Sequence, residues 1–254
     1  MRLKQEDCRT FVRARSRTLT TLATLAVAIG GLTTTAWAGS VTIVPPSLAV
    51  GQTYRLVFVT AETYTATDTN INDYNTAVLN DANNNPLLQG LNTTWDAIAS
   101  TQSVAAITNV GQDAGVPIYN LGGQFVAADA TTTLPSGLFS GNTLANPIFF
   151  DENGNSSASP VWTGSFSNGL NVPGCVGLGC ATPIVGMANS SSSFWITETT
   201  AGSANTAALY ALSGVLTVAA PEPATNGMLA LGLVTLCLAA RRKQRTAQVS
   251  SSKA

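Results

Sequence analysis

The sequence contains no histidine. That removes the side chain most used as a general base near neutral pH, and the commonest nitrogen ligand for metals. Ser-His-Asp and Cys-His catalysis are thereby excluded. Charge is scarce as well: Asp, Glu, Lys and Arg make up 10% of the 254 residues. The shortage is uneven, because six of the twelve cations precede residue 18 and five follow residue 240. Between Gly39 and Ala220 a single cation, Arg55, stands against ten carboxylates: Glu62, Asp68, Asp73, Asp81, Asp96, Asp113, Asp129, Asp151, Glu152 and Glu198. Such a segment has no basic face to neutralise phosphates, which excludes nucleic acid as a partner. Electrostatic docking to an anionic lipid surface is disfavoured for the same reason. Asn, Thr, Ser and Gly must keep the segment soluble.

What is present begins at the two ends. Arg2, Lys4, Arg9, Arg13, Arg15 and Arg17 precede an apolar stretch from Leu19 to Leu32, and Ala36-Trp37-Ala38 supplies an A-x-A pattern before Gly39. Residues 1–38 therefore read as a secretory signal peptide. The alternative, an uncleaved anchor, is disfavoured because the apolar run falls short of the ~20 residues a membrane span needs. At the other end, Pro221-Glu222-Pro223 is followed by an apolar run, Gly227 to Ala240, and then by Arg241-Arg242-Lys243-Gln244-Arg245. This triplet, short hydrophobic helix and basic cluster resemble the PEP-CTERM sorting signal. The resemblance implies an exosortase-type transpeptidase as partner, passage through the inner membrane during sorting, and delivery to the envelope, outer surface or extracellular matrix of a Gram-negative bacterium that makes exopolysaccharide. The expected transmembrane helix, 227–240, is marginal for a ~30 Å hydrocarbon core. Its basic flank, Arg241, Arg242 and Lys243, should stay cytoplasmic by the positive-inside rule. A plain, uncleaved C-terminal anchor is the alternative, and the nine residues from Thr246 to Ala254 overhang the usual end of such a signal. Cys237 reads as a small apolar residue.

Residues 39–220 are left as one exported domain. Val41–Val44, Tyr54–Thr60, Ile148–Phe150, Val161–Thr163, Phe194–Thr197 and Leu209–Val218 have strand-like composition. Ile71, Tyr74, Val78 and Leu79 fall at helical spacing with Asn70 as N-cap, and a weaker helical stretch covers Val104–Ile107. Trp95–Ala99 alternates apolar positions. Pro117–Ala127 reads as a hairpin turning at Gly122-Gly123. Short strands, an early helix and long polar loops predict an α+β domain, with Ala219–Thr225 as a linker. The order Thr94–Ser100, Val116–Leu121, Leu138–Gly141, Pro147–Asp151, Val161–Ser165 and then Cys175 is similar to the endostatin-type domain, which implies a C-type-lectin-like fold over most of residues 54–218. The heparin-binding arginines, zinc-binding histidines and disulfides of that family are not reproduced.

Three patterns carry candidate chemistry. Cys175 and Cys180 are the only cysteines of the exported domain, and an oxidising compartment predicts a local disulfide between them. Three segments read D-x-N-x-N, at Asp68–Asn72, Asp81–Asn85 and Asp151–Asn155. Their alternating oxygens suit calcium, although none continues as an EF-hand, and turn and cap chemistry is the simpler account. A calcium site, if present, falls on Asp151, Glu152, Asn153 and Asn155. Trp95, Trp162 and Trp195 either stack on sugar rings or fill the core, and their apolar surroundings favour the core. No two carboxylates are paired by spacing in the way a glycosidase needs. The expectation is a non-enzymatic surface or exopolysaccharide-matrix protein, binding or structural. The alternatives are a calcium-assisted glycan-binding module and, less favoured, an extracellular hydrolase.

Overall fold

The computed structural model describes residues 40–220 apart from Asn142 and Val172. The expected signal peptide (1–38), the sorting residues Pro221, Glu222, Pro223, Arg241, Arg242 and Lys243, and the helix at 227–240 lie outside the described residues. No helix among those described is long and apolar enough to cross a membrane.

The domain is built on one mixed sheet with few helices. In chain order the strands are β1 (Thr53–Val59), β2 (Trp95–Ala97), β3 (Ile118–Asn120), β4 (Phe125–Ala127), β5 (Pro160–Trp162), β6 (Ile184–Met187), β7 (Thr199–Thr200), β8 (Ala208–Ser213) and β9 (Leu216–Thr217). The path across the sheet runs β4-β3-β1-β8-β5-β6-β7, with β2 also paired to β8 and β9 to β1. Thus β1 and β8 form the centre, antiparallel to each other through Val57–Leu212, Phe58–Ala211 and Val59–Tyr210. β3 adds to β1 in parallel, and β5 adds to β8 in parallel.

Central position explains the sequence of both strands. Successive side chains point to opposite faces, and here both faces are covered. Tyr54, Leu56 and Phe58 enter one core with Leu209, Ala211 and the helix residues Tyr74 and Val78. Val57 and Val59 enter the other with Tyr210, Leu212, Ile98 and Trp195. A strand buried on both sides reads as a continuous apolar run, and truncating such a side chain (Leu56→Ala) is worth about 2–5 kcal/mol.

Among the described residues three α-helices accompany the sheet: α1 (Ile71–Asn84), α2 (Pro86–Gln89) and α3 (Ala106–Asn109). α1 starts where expected, because the Asn70 side chain accepts from Asn72 N and so satisfies one of the free amides of the first turn. Asn85 repeats the device for α2 by accepting from Leu87 N, with Pro86 at the first helical position. The β3–β4 hairpin also forms as read. Gly123 takes φ +75, while a side chain at Gly122 would run into the ring of Phe150.

Elsewhere the strand readings need correction. Phe194–Thr197 is not a strand: Ser193–Trp195 forms a 3-10 turn capped by Ser192, whose hydroxyl accepts from Phe194 N. Val41–Val44 forms no strand either, and Thr42 N bonds to Leu121 O ahead of Pro45-Pro46. Of Ile148–Phe150, Phe150 alone makes a bridge, to Ser156. The run Leu209–Val218 is interrupted at Gly214-Val215, separating β8 from β9. Pro183 and Gly186 masked β6 in the sequence.

Candidate functional site

Three of the four buried acids among the described residues, Asp81, Asp151 and Glu152, lie where the end of β1, the second half of α1 and the 151–155 turn meet. The fourth, Asp129, bonds Gly115 and Thr131 elsewhere. Asp81 lies on the apolar face of α1 and is 2% exposed. It is accommodated there because the Tyr64 hydroxyl donates to its Oδ2 at 2.8 Å. Glu152, 3% exposed, accepts from Ala61 N at 2.9 Å and from Asn153 Nδ2 at 3.0 Å. Asn85 Nδ2 donates to Glu152 O, which ties the end of α1 to the turn. Burial pushes the Asp81 carboxyl above its ordinary range; the Tyr64 hydrogen bond opposes this and the Glu62 charge adds to it. Burial likewise raises Glu152, opposed by the backbone donors and reinforced by the Asp81 and Asp151 charges. Tyr64 is raised first by its own burial, then by its bond to Asp81. The arrangement holds two carboxylates toward their neutral forms without a cation beside them.

The residues singled out for calcium are brought together, but by the turn itself. Asp151 Oδ1 accepts from Asn153 N and Asn155 N at 2.9 and 2.8 Å, and Oδ2 accepts from Asn155 Nδ2 at 3.2 Å. This is an Asx turn, in which the carboxylate folds the loop around itself. Both Glu152 oxygens are engaged as described above, so a cation at this place would have to displace the loop's own donors. Among the described residues no group of three or more His, Cys, Asp or Glu side chains is placed to hold a metal ion. The other two D-x-N-x-N segments resolve into caps and one buried acid: Asn70 and Asn85 cap helices, and Asp81 pairs with Tyr64.

Cys175 and Cys180 are bonded, with Cα atoms 5.4 Å apart. Cys175 holds φ +58 without being glycine, a conformation that disfavours a Cβ. Between the cysteines Leu178 is fully buried, its N–H donating to Ser100 O, while Gly179 N donates to Ala66 O. The bridge therefore closes a loop already stitched to two distant segments.

The three tryptophans are core residues. Trp95 meets Phe58 edge-on at 5.0 Å between centroids. Trp162 donates Nε1–H to Tyr64 O at 2.7 Å. Trp195 packs against Phe139 and Tyr210. At 3%, 0% and 1% exposure none offers a face to a ligand.

Arg55 is the functional-looking residue that composition flagged and could not place. It is 1% exposed. Nε donates to Ser213 O at 2.5 Å and Nη2 to Val110 O at 2.7 Å. Nη1 reaches Gly111 O at 3.4 Å and the half-exposed Asp113 Oδ2 at 3.1 Å. The guanidinium thus satisfies carbonyls where β8 breaks toward β9, and it is a fastener rather than a binding group. Burial of an arginine is unusual and requires partners, and its isolation in an apolar run was the one mark the sequence offered.

The described domain ends with Val218 N bonded to Gln52 O and Gly51 N bonded to Val218 O. Directly beyond, the sequence continues with Pro221-Glu222-Pro223, an apolar run and a basic cluster. No curated protein matches the chain in sequence. Residues 219–243 do match the family model of the PEP-CTERM protein-sorting motif, and the chain accordingly carries the sorting signal of exported envelope proteins processed by an exosortase-type system.

Proposed function

We propose that the chain is a non-enzymatic surface or exopolysaccharide-matrix protein of a Gram-negative bacterium, with a lectin-like domain of binding or structural role. In this reading residues 1–38 direct export. The segment 227–240 then holds the chain in the inner membrane, and the exosortase-type transpeptidase acts near Pro221-Glu222-Pro223 before the domain is passed outward. The observation that carries it is the sorting motif at 219–243, which follows the last strand without an intervening domain. Three further features support it. The domain's single cation is turned inward, its cysteines are paired as an oxidising compartment allows, and no histidine is available for the commonest hydrolytic chemistries.

Fractionation with one epitope tag after Ala38 and another at the C-terminus tests the route. The expected result is separation of the two tags, with the N-terminal tag in the outer-surface or extracellular fraction and processing lost in a strain lacking the transpeptidase. An intact doubly tagged chain confined to the inner membrane of a strain that has the enzyme would refute it. Saturable ligand binding by the delivered domain would separate the binding role from the structural one.

A further inference from the structure

The two halves of the Cys175–Cys180 bridge lie in different surroundings. Cys175 is exposed, next to the exposed Pro173 and Gly174, whereas Cys180 is 4% exposed. Exchange with an outside thiol begins when a thiolate attacks one of the two sulfurs, and access decides which one. The attack comes in line with the S–S bond, from behind the sulfur that is struck. Solvent reaches that side at Cys175, and Cys180 is then the leaving group. The opposite attack would have to start from the buried side.

The two halves are also held differently. The Cys180 half is tied down through the backbone. Leu178 N donates to Ser100 O and Gly179 N to Ala66 O, each at 2.9 Å, and Cys180 N donates to Gly177 O at 3.2 Å. Close approach reinforces this, since a side chain at Gly179 would meet Thr69 at 2.7 Å and the Asp68 carbonyl at 2.8 Å. Among the described residues no hydrogen bond holds Gly174 or Cys175. Gly174 takes φ +101 with open space where a side chain would stand. Cys175 takes φ +58, a conformation that a Cβ disfavours. The disulfide is what keeps Cys175 there, and breaking it frees the 173–175 tip while the rest of the loop stays in place.

The exchange balances with a thiol as the sole co-reactant. The incoming thiolate forms a bond to Cys175 Sγ. The bond between the two cysteines breaks and its electron pair leaves on Cys180 Sγ, which takes up the proton the incoming thiol gave up. The products are a mixed disulfide at Cys175 and a free thiol at Cys180. Because the Cys180 backbone is fixed, its sulfur remains at the site. Its return attack expels the guest thiolate and restores the bridge, which is the relation of a modified cysteine to its resolving partner.

We infer that Cys175 is a reversible conjugation site for small thiols on the exported domain, with Cys180 as the buried resolving thiol. In an oxidising compartment the bridge is closed at rest, and the site is used when thiols reach the protein. This is a covalent modification and stands apart from the binding or structural role proposed above.

The test incubates the full chain, native in mild detergent, with 2-mercaptoethanol and its disulfide. Acid quenching and peptide mass mapping then read each cysteine. The expected product carries the adduct on Cys175 and a free thiol on Cys180. Its near-UV circular dichroism should be unchanged, since the buried tryptophans keep their packing, and removing the thiol should restore the bridge. An adduct on Cys180, an equal division between the two, an adduct formed only in urea, or loss of the near-UV signal on opening would each overturn the assignment. Single variants give a second reading with an aryl disulfide reagent. Cys175 in Cys180→Ser should react at least about tenfold faster than Cys180 in Cys175→Ser, because exposure governs thiol reactivity, and urea should erase the difference. Equal rates in the native state would refute the inference, and the wild-type mapping carries the test should either variant fail to fold.

Discussion

Replacing Arg55 by methionine is the sharpest test of how the domain is held together. The substitution keeps an unbranched apolar stem and deletes the guanidinium. It leaves Ser213 O and Val110 O, both now bonded at 2.7 Å or less, without donors inside the fold. Each buried group so orphaned costs roughly 1–3 kcal/mol. The gain is relief from desolvating the cation, whose pKa burial lowers despite the charges of Asp113 and Asp96. Weighing the two, and guided by what breaking a buried charged group costs, the net loss should be about 3–4 kcal/mol. For a domain of this size that corresponds to a fall in Tm of roughly 6–16 °C. Asp113 is 42% exposed on its side of the pair, so Asp113→Asn should lose less than ~1 kcal/mol. The assay is urea unfolding of residues 39–220 secreted into an oxidising compartment. Equal losses for the two variants would refute the reasoning, since the ion pair would then matter and the carbonyl bonds would not. So would a loss under ~1 kcal/mol for Arg55→Met.

Asp81 and Glu152 make stability fall as pH rises. Their folded pKa values lie above the ordinary 3.8 and 4.5, so the native state binds more protons than the unfolded state once pH passes those values. Stability therefore declines from there up to the folded pKa values. Asp81→Asn, which still accepts from Tyr64, should flatten that decline in urea titrations compared at pH 4.5 and 7.5, and an unchanged slope would contradict the burial account. Cys175→Ser with Cys180→Ser should lower stability by roughly 2 kcal/mol, the value for closing so short a loop. Mass spectrometry without reduction should show the bridge, and two free thiols in exported protein would refute it. Calcium compared with chelator should leave the thermal melt unmoved, because the oxygens of Asp151 and Glu152 already accept from the protein. A rise in Tm that saturates with calcium would show that the turn opens to a metal.

Elements whose signals are local were legible in the sequence. α1 declared itself through the Asn70 cap and the spacing of Ile71, Tyr74 and Val78, and β1 through the apolar run Leu56–Val59. The hairpin at Gly122-Gly123 needed only turn chemistry. What failed depended on distant partners. Phe194–Thr197 has strand composition, yet Trp195 turns inward to Phe139 and Tyr210, and the Ser192 cap closes a 3-10 turn. β6 was hidden because Gly186 interrupts its pattern, and that glycine is there to let the backbone at Trp195 pass. The candidate cations and acids divided in the same way. Composition isolated Arg55, but its acceptors lie as far away as Ser213.

The place of β8 in the chain has a consequence for how the protein is made. This strand sits at the centre of the sheet, bonded to β1, β2 and β5, yet it is nearly the last part of the domain in chain order. Until Ala208–Ser213 emerges, β1 has no antiparallel neighbour and Arg55 has no Ser213 to hold. Contacts of such sequence separation form late and slowly. A chain made from its N-terminus therefore cannot complete this sheet until almost its final described residue is available. The sorting motif begins at residue 219, directly after the last strand residues that complete the sheet. Completion of the sheet and presentation of the sorting motif thus depend on the same last stretch of chain.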